Sequence, residues 1–293
     1  MKALYDVPAP AKLNLFLHIT GRRPDGYHLV QSVFMLVDWC DTLHFELRGN
    51  GQISREDCGI TLPGDDLAVR AARALQQACA TPAGVHIRLE KRIPVQAGMG
   101  GGSSDAASCL LALNRLWNLG MSLPQLEKIG LRLGADVAFF LRGRNAWVEG
   151  IGEQIRPLEL PAARFAVVKP PQGLDTGLVF SDAQLKRDSA PAIISGFAAN
   201  PDGEFPFGFG HNDLQPVAQR LCPAVTQALE WLASQDLHGR MTGSGSAVFA
   251  KMPQDQTLPP APAGWQAREC GNLEAHPLLG WAASDDFGGR PVS

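Results

Sequence analysis

The chain has 293 residues, of which 45% are hydrophobic and 19% are charged. This composition predicts a folded protein with a sizeable core, and the length predicts two domains. The 26 Lys and Arg residues against 29 Asp and Glu give a net charge of -3, which excludes an overall basic surface for nucleic acid or acidic membranes. Because no apolar stretch is long enough to span a bilayer and the N-terminal residues do not resemble a secretory signal, we expect a cytoplasmic location.

The cysteine pattern argues against a zinc site and against a disulfide framework. No Cys-x-x-Cys pair occurs, and no histidine lies at metal-binding spacing from a cysteine. We therefore expect reduced, mostly buried thiols at all six positions, which are Cys40, Cys58, Cys79, Cys109, Cys222 and Cys270.

Alternating apolar residues predict β-strands in the first third of the chain. Every second residue over 13–19 is apolar, and Lys12 and Asn14 lie side by side on the opposite face, one pleat apart. After a turn-rich connection, two further strand patterns cover 33–37 and 43–47.

Helices and strands then follow one another in both halves of the chain. Asp65 or Asp66 can cap a helix that begins at Leu67, and Ser122 can cap another helix that Gly134 ends. Extended patterns lie at 85–89, 145–155, 165–168 and 247–250, and a helical pattern interrupted at Pro223 covers 214–232. This order predicts an α+β fold without a single alternating parallel sheet.

We place the domain boundary just before the strand at 165–168, which gives an N-terminal domain over 1–158 and a C-terminal domain over 159–293. Residues 189–210 are rich in Pro, Gly and Phe and predict an irregular connection.

The most informative local feature is the run GMGGGSSD at 98–105, which lies between a strand pattern and an amphipathic helix expected to begin near Ser103. Glycines let the backbone approach a ligand closely, and a helix start offers unpaired N–H groups and the positive end of its dipole. A flexible linker is the alternative, but this position favours a phosphate site.

Two familiar phosphate motifs are excluded. A Walker loop needs Gly-Lys before Ser or Thr, and Gly-Lys occurs nowhere in the chain. A dinucleotide fingerprint needs a glycine three residues after its second glycine, but Ser103 stands there after Gly98 and Gly100.

The residues alone leave the source of acid–base chemistry open. Asp136 lies between a predicted helix end and an apolar run, where a carboxylate is costly unless paired, but an N-cap role would explain it equally well. Lys12 is a second candidate, although a lone lysine on a strand is more often a solvated surface group.

Five segments together resemble the GHMP kinase superfamily. They are PAPAKLNL at 8–15, RPDGYH at 23–28, PVQAGMGGGSS at 94–104, GADV at 134–137 and TGSG at 242–245, in the family's order over almost the whole chain. The glycine-rich and TGSG segments are shared across the superfamily. KLNL combined with DGYH points to the branch that acts in the non-mevalonate isoprenoid pathway.

The resemblance implies a two-domain α+β GHMP kinase fold with the active site in the cleft between the domains. It implies ATP-dependent phosphorylation of the 2-hydroxyl of 4-diphosphocytidyl-2-C-methyl-D-erythritol, giving the 2-phosphate and ADP, with Mg2+ as a cofactor. The partner would be this small molecule, with no nucleic acid and no membrane, and the chain would be a monomer or homodimer.

The resemblance also implies roles for individual residues. Asp136 matches the catalytic base and Lys12 its cationic partner, which would keep the carboxylate ionised and stabilise charge near the transferring group. ATP would bind along the glycine-rich segment, namely Pro94, Val95, Gln96, Ala97, Gly98, Met99, Gly100, Gly101, Gly102, Ser103 and Ser104.

On the substrate side, Tyr27 and His28 match the family's cytidine-binding residues, and Phe180 matches the aromatic on the other face of the base. Ordinary core packing would explain Phe180 equally well. Further contacts to the substrate are expected from Asn14, Thr242 and Gly243.

The chain departs from the family pattern at Ala138, where proline is common, and at Gln96-Ala97. Two alternatives stay open: a GHMP kinase for another alcohol such as homoserine or mevalonate, or an inactive nucleotide-binding protein. Tyr27 and His28 argue against the first, and the presence of both Lys12 and Asp136 argues against the second.

Overall fold

A computed structural model describes residues 1–194 and 206–283. Within them the first layer is a six-stranded sheet whose strands are β1 (Ala3–Arg22), β2 (His28–Arg48), β3 (Ile53–Cys58), β4 (Gly84–Glu90), β5 (Ala146–Glu149) and β6 (Gln154–Pro157). The order is β3-β4-β2-β5-β6, and β1 pairs with β2 along most of its length. All pairs are antiparallel except β3 with β4.

Four helices cover this sheet: α1 (Leu67–Cys79), α2 (Gly101–Leu116), α3 (Leu123–Leu133) and α4 (Ala135–Arg142). Two predicted caps are confirmed. The Asp66 carboxylate accepts from the Val69 N–H at 3.0 Å, and the Ser122 N–H donates to the Gln125 side chain at 2.8 Å. The core under these helices includes Leu110, which is fully buried.

The second layer is a four-stranded antiparallel sheet in the order β10-β7-β9-β8. Its strands are β7 (Arg164–Lys169), β8 (Arg240–Met241), β9 (Val248–Met252) and β10 (Gln266–Gly271). Three helices of the described residues accompany it: α5 (Thr176–Ser181), α6 (Gln215–Leu221) and α7 (Pro223–Ala233). The predicted interruption at Pro223 is confirmed as the boundary between α6 and α7.

The two sheets share a core. Leu13 and Met35 of the first sheet pack in one buried cluster with Phe165 and Phe249 of the second. The chain then returns to the first layer, where residues 272–283 bridge to three of its segments and bury Leu278. The first and second layers are therefore fixed to each other by apolar packing as well as by chain connections.

The structure corrects the predicted start of α2. We expected a helix capped near Ser103, but it begins at Gly101, and Gly100 is the N-cap at φ 71°. The strands β3 and β10 were not predicted, because their sequences ISREDC and QARECG lack an apolar alternation. The predicted irregular connection at 189–210 lies partly outside the described residues. No described helix is long and apolar enough to cross a bilayer.

We expect Leu110→Ala to lower the free energy of unfolding by about 2–5 kcal/mol, because it leaves a cavity in the core under α2. Denaturant unfolding followed by circular dichroism measures the change. The matched control is Leu131→Ala on α3, whose side chain is 47% exposed, and it should stay within about 0.5 kcal/mol of the unchanged chain. Equal losses from both variants would contradict this account of the core.

Candidate active site

The glycine-rich segment forms a tight loop that leads directly into α2. Gln96, Gly98 and Gly100 have φ values of 51°, 70° and 71°, a region that L side chains rarely adopt. The N–H groups of the first turn of α2, from Gly101 onward, have no carbonyl partner within the helix. Together with the helix dipole they form an electropositive site that suits a phosphate group.

A second loop, 242–246 from the second sheet, packs backbone to backbone against this glycine loop. A methyl group added at Gly98 would overlap the Thr242 carbonyl oxygen, and one added at Gly243 would lie 2.6 Å from the Gly98 carbonyl oxygen. The N–H groups of Ser246 and Ala247 donate to the carbonyls of Gln96 and Ala97 at 3.2 and 3.3 Å. The predicted TGSG segment therefore meets the predicted phosphate loop.

Lys12 lies against the inner side of the same loop. Its backbone N–H donates to the Met99 carbonyl at 2.9 Å, and its side chain is only 5% exposed. The ammonium donates to the Asn14 side-chain oxygen, lies 4.5 Å from the centre of the Phe34 ring and forms an ion pair with Asp136 at 3.6 Å. The structure thus brings together the two residues that matched the catalytic pair.

Burial lowers the pKa of Lys12, and the nearby Asp136 carboxylate opposes that shift by favouring the ammonium form. Such a buried ammonium needs its anionic partner, because unpaired it would be costly to keep charged. The Asp136 side chain is 29% exposed, so one partner of the pair remains accessible from solution.

Asp136 is not an N-cap, so that alternative is wrong. Gly134 caps α4, and Asp136 is the second residue of its first turn, where a carboxylate interacts favourably with the helix dipole. The start of α4 approaches the start of α2, since a methyl group added at Gly134 would lie 3.7 Å from the Ser103 hydroxyl. Two helix N-termini and the Lys12 ammonium therefore converge on one region.

Asn14 connects Lys12 to the second sheet. Its backbone N–H donates to the Thr242 hydroxyl at 2.9 Å, and its side-chain nitrogen donates to the Ser32 hydroxyl at 2.9 Å. The side-chain oxygen is thereby turned toward Lys12. Asn14, Thr242 and Gly243 thus all lie in the junction, beside the ion pair.

The residues that matched cytidine binding lie at the start of β2 and on α5. The rings of His28 and Phe180 are 5.3 Å apart at an interplanar angle of 41°, and Tyr27 is 61% exposed. The Phe180 side chain is only partly buried, and it packs against the core cluster of the second sheet as well as lying near His28. Its binding role stays a prediction.

Helix α5 links this aromatic pair to the loop junction. At its first residue the Thr176 hydroxyl is hydrogen-bonded to the Ser244 hydroxyl at 2.7 Å. Phe180 follows four residues later, about 6 Å further along the helix axis. Phe180 and the contact with the loop at 242–246 therefore lie at the two ends of one short helix.

Sequence analysis missed a buried charge cluster beneath the glycine loop. The Lys91 ammonium bridges Asp41 and Asp105, the latter at 2.7 Å, and it would lie 3.2 Å from a methyl group added at Gly101. The Asp41 carboxylate also accepts from the Arg92 and Ile93 N–H groups at 2.6 and 2.7 Å. No motif marked Lys91, since its partners are distant in the sequence.

We expect Gly98→Ala to destabilise the fold by more than about 1 kcal/mol, because a side chain is strained at this φ and would push the two loops apart. The matched control is Gly102→Ala in the first turn of α2, where the nearest atom would be 3.5 Å away and φ is not positive. This control should be neutral or stabilising by up to about 1 kcal/mol. Thermal unfolding measures both changes. A Gly98→Ala variant as stable as the unchanged chain would contradict the proposed loop contact.

Burial raises the pKa of Asp105 to about 8. A carboxyl group whose pKa is higher in the folded than in the unfolded protein stabilises the fold while it is protonated. This stabilisation is complete below the unfolded-state pKa of about 4, and it is lost as the pH rises through the folded-state pKa. Because an amide cannot ionise, the stability of Asp105→Asn relative to the unchanged chain should increase with pH.

We expect this difference to be larger near pH 8.5 than near pH 4, because Asp105 ionises in the folded protein only at the higher pH. Urea unfolding across this range measures it. Asp65→Asn, at a carboxylate that is 66% exposed, is the control and should show no such trend. A difference that does not change with pH would rule out this assignment.

Comparison with known proteins agrees with this arrangement. Residues 66–144 match the family described as GHMP kinases N terminal domain, and residues 205–259 match GHMP kinases C terminal. The 4-diphosphocytidyl-2-C-methyl-D-erythritol kinase of Albidiferax ferrireducens is 70% identical, over 97% of this chain and 98% of its own. The protein of the same name from Variovorax paradoxus is 67% identical, over 96% and 100%.

A crystal structure of 4-(cytidine 5'-diphospho)-2C-methyl-D-erythritol kinase aligns with a TM-score of 0.70 at 35% identity, over 85% of this chain and 89% of that one. A homoserine kinase from Cytophaga hutchinsonii aligns with a TM-score of 0.68 at 16% identity, over 94% and 96%, which shows a shared fold alone. The predicted α+β GHMP kinase fold is thus confirmed. The chain belongs to the 4-diphosphocytidyl-2-C-methyl-D-erythritol kinase family of the GHMP kinases.

Proposed function

We propose that this ATP-dependent kinase phosphorylates the 2-hydroxyl of 4-diphosphocytidyl-2-C-methyl-D-erythritol, giving the 2-phosphate and ADP, in the non-mevalonate isoprenoid pathway. The observation that carries the proposal is the ion pair between Lys12 and Asp136 at 3.6 Å, formed directly beside a glycine loop and helix start that suit a phosphate group. A carboxylate and an ammonium next to a phosphate site are the groups needed to transfer a phosphoryl group to an alcohol.

Asp136 acts as the catalytic base in this proposal. It accepts the proton of the substrate hydroxyl as the oxygen attacks the γ-phosphorus of ATP. Lys12 stabilises the carboxylate and the negative charge near the transferring group, and its ammonium is held by Asn14 and by burial in one orientation. A carboxylate is a weak base, so most of the rate enhancement comes from alignment and charge stabilisation.

The triphosphate binds along Pro94–Ser104. The exposed N–H groups at the start of α2 and the positive end of its dipole hold the phosphate oxygens. Lys91 is held between Asp41 and Asp105, so its cluster supports the loop from below instead of supplying a free cation. Recognition of the phosphates then depends mainly on the backbone.

Magnesium fits this site as an ion carried by the nucleotide. Within the described residues no group of three or more acidic, histidine or cysteine side chains could hold a metal by itself. Magnesium usually takes one or two protein oxygens and fills its remaining positions with phosphate oxygens and water. The Ser104 hydroxyl is buried without a hydrogen-bond partner among the described residues, which makes it the candidate protein ligand. The ion would neutralise charge on the triphosphate.

The cytidine diphosphate alcohol occupies the other side of the junction. Tyr27, His28 and Phe180 take the base, and α5 sets the distance from there to the loops. The alcohol and the diphosphate would contact the loop junction at Asn14, Thr242 and Gly243. The aromatic pair supports a pyrimidine nucleotide over homoserine or mevalonate, neither of which carries a base.

We further infer that 1–158 forms the ATP-binding domain and 159–293 the substrate domain. The ATP loop and α4 belong to the first sheet, and α5 and the loop at 242–246 accompany the second. A cytoplasmic location and a monomeric or homodimeric state stay predictions.

A coupled ADP-release assay tests the function. Purified protein with ATP and magnesium should release ADP rapidly with the cytidylyl alcohol and slowly with homoserine, mevalonate or no acceptor. Phosphorus NMR of the product should place the new phosphate on the 2-hydroxyl. Faster turnover of homoserine or mevalonate would overturn the substrate assignment, and no turnover of any alcohol would favour an inactive nucleotide-binding protein.

We expect Asp136→Asn to lower kcat by about 10²- to 10⁴-fold, the usual contribution of a positioned general base, while ATP binding changes little. The assay is ADP release, paired with calorimetric titration of ATP. The exposed Asp255→Asn serves as the control for removal of a carboxylate and should keep full activity. Unchanged kcat in Asp136→Asn would remove this residue from the mechanism.

A further inference from the structure

Arg187 contacts both partners of the aromatic pair, although no motif singled it out. Its Nε donates to Nε2 of His28 at 3.0 Å. Its terminal nitrogens donate to backbone carbonyls in the last turn of α5 and just after it, namely Phe180 at 3.4 Å, Asp182 at 2.7 Å and Leu185 at 2.9 Å. One side chain therefore ties the start of β2 to the segment that carries Phe180.

The hydrogen bond to His28 determines where the imidazole proton is. A guanidinium nitrogen can only donate, so Nε2 of His28 must accept and the proton of the neutral ring must be on Nδ1. No described residue accepts a hydrogen bond from Nδ1. His28 therefore has one unused donor, the Nδ1–H group, and the hydrogen bond from Arg187 determines that the proton is on this nitrogen.

The charges around His28 keep its ring neutral. Burial lowers the pKa of His28, and the positive charges of Arg187 and Arg22 lower it further. The ring is therefore neutral at physiological pH, in the tautomer with the proton on Nδ1. Without Arg187 the neutral ring would exchange between its two tautomers and would titrate nearer to its ordinary range.

A fixed donor at this position discriminates between pyrimidines. N3 of cytosine accepts a hydrogen bond, whereas N3 of uracil carries a hydrogen and can only donate. We propose that Arg187 is a positioning residue that holds His28 as an Nδ1–H donor for N3 of cytosine and fixes Phe180 beside it, so that the site selects cytidine over uridine nucleotides. This inference rests on the proposed function, since it assumes that the aromatic pair binds the base.

The test compares Arg187→Met with Arg220→Met. Arg220 is the matched control, because in the structure as described it pairs with the Asp182 carboxylate on the same segment and forms no hydrogen bond with His28. In Arg187→Met we expect KM for the cytidylyl alcohol to rise about tenfold. This is the usual cost of losing a hydrogen bond when one of its two partners is left unpaired. The KM for ATP and kcat should change little. The preference over the uridylyl analogue should fall by a similar factor.

The pH dependence separates this role from a structural one. An imidazolium carries hydrogens on both nitrogens, so protonation of His28 restores the Nδ1–H donor in Arg187→Met. Its KM defect should therefore shrink below about pH 6.5, the ordinary pKa of histidine, and persist at pH 8. The unchanged chain should show no such recovery. A defect that is equal at all pH values, or that is shared by Arg220→Met, would overturn the proposal.

Nitrogen-15 NMR of histidine-labelled protein checks the tautomer directly and needs no variant. The unchanged chain at pH 7.5 should show His28 protonated on Nδ1, and a proton on Nε2 would overturn the proposal even if Arg187→Met does not fold.

The proposed function and the role of Arg187 would be contradicted by different results. An unchanged chain without activity on the cytidylyl alcohol contradicts the proposed function, whereas an active enzyme whose Arg187→Met variant keeps its KM and its preference for cytidine contradicts the role of Arg187 alone.

Discussion

The structure depends on a backbone-to-backbone contact between two glycine-containing loops from different sheets. Gly98 and Thr242 approach so closely that no side chain fits between them, and Gly243 closes the contact from the other side. Lys12 is bonded to one loop through Met99, and Asn14 is bonded to the other through the Thr242 hydroxyl. The contact therefore sets the phosphate loop, strand β1 and the second sheet in one fixed arrangement.

The contact between the loops buries two lysine side chains, and each of them has an acidic partner. The Lys12 ammonium is removed from water and balanced by Asp136, which remains partly exposed and can meet a substrate. Beneath the loop, Lys91 is held between Asp41 and Asp105, so its charge is already neutralised. The free positive potential at the loop comes from backbone N–H groups, which need no reorganisation when a phosphate binds.

Polar contacts also align the aromatic rings at the proposed cytidine site. Helix α5 is joined to the loop junction at Thr176 and carries Phe180 at its other end. Arg187 then ties the segment after this helix to His28. In our proposals the same framework that orients the phosphates also sets the distance to the base and the direction of its hydrogen-bond donor.

The sequence by itself determined the local features. Apolar alternation predicted the strand over 13–19, Asp66 and Ser122 predicted two helix starts, and the glycine run predicted a close approach of backbone to a ligand. These signals lie within a few residues of one another, so spacing reveals them.

Only the tertiary structure decided which distant residues meet. Helix α2 begins at Gly101 and not near Ser103, and a methyl group added at its N-cap, Gly100, would lie only 3.0 Å from the Phe140 ring and 3.2 Å from the Lys12 side chain. The pairing of Lys12 with Asp136, the cluster around Lys91 and the bond from Arg187 to His28 join residues between 14 and 159 positions apart. Such contacts leave no periodic trace in a sequence, because packing between layers brings them together.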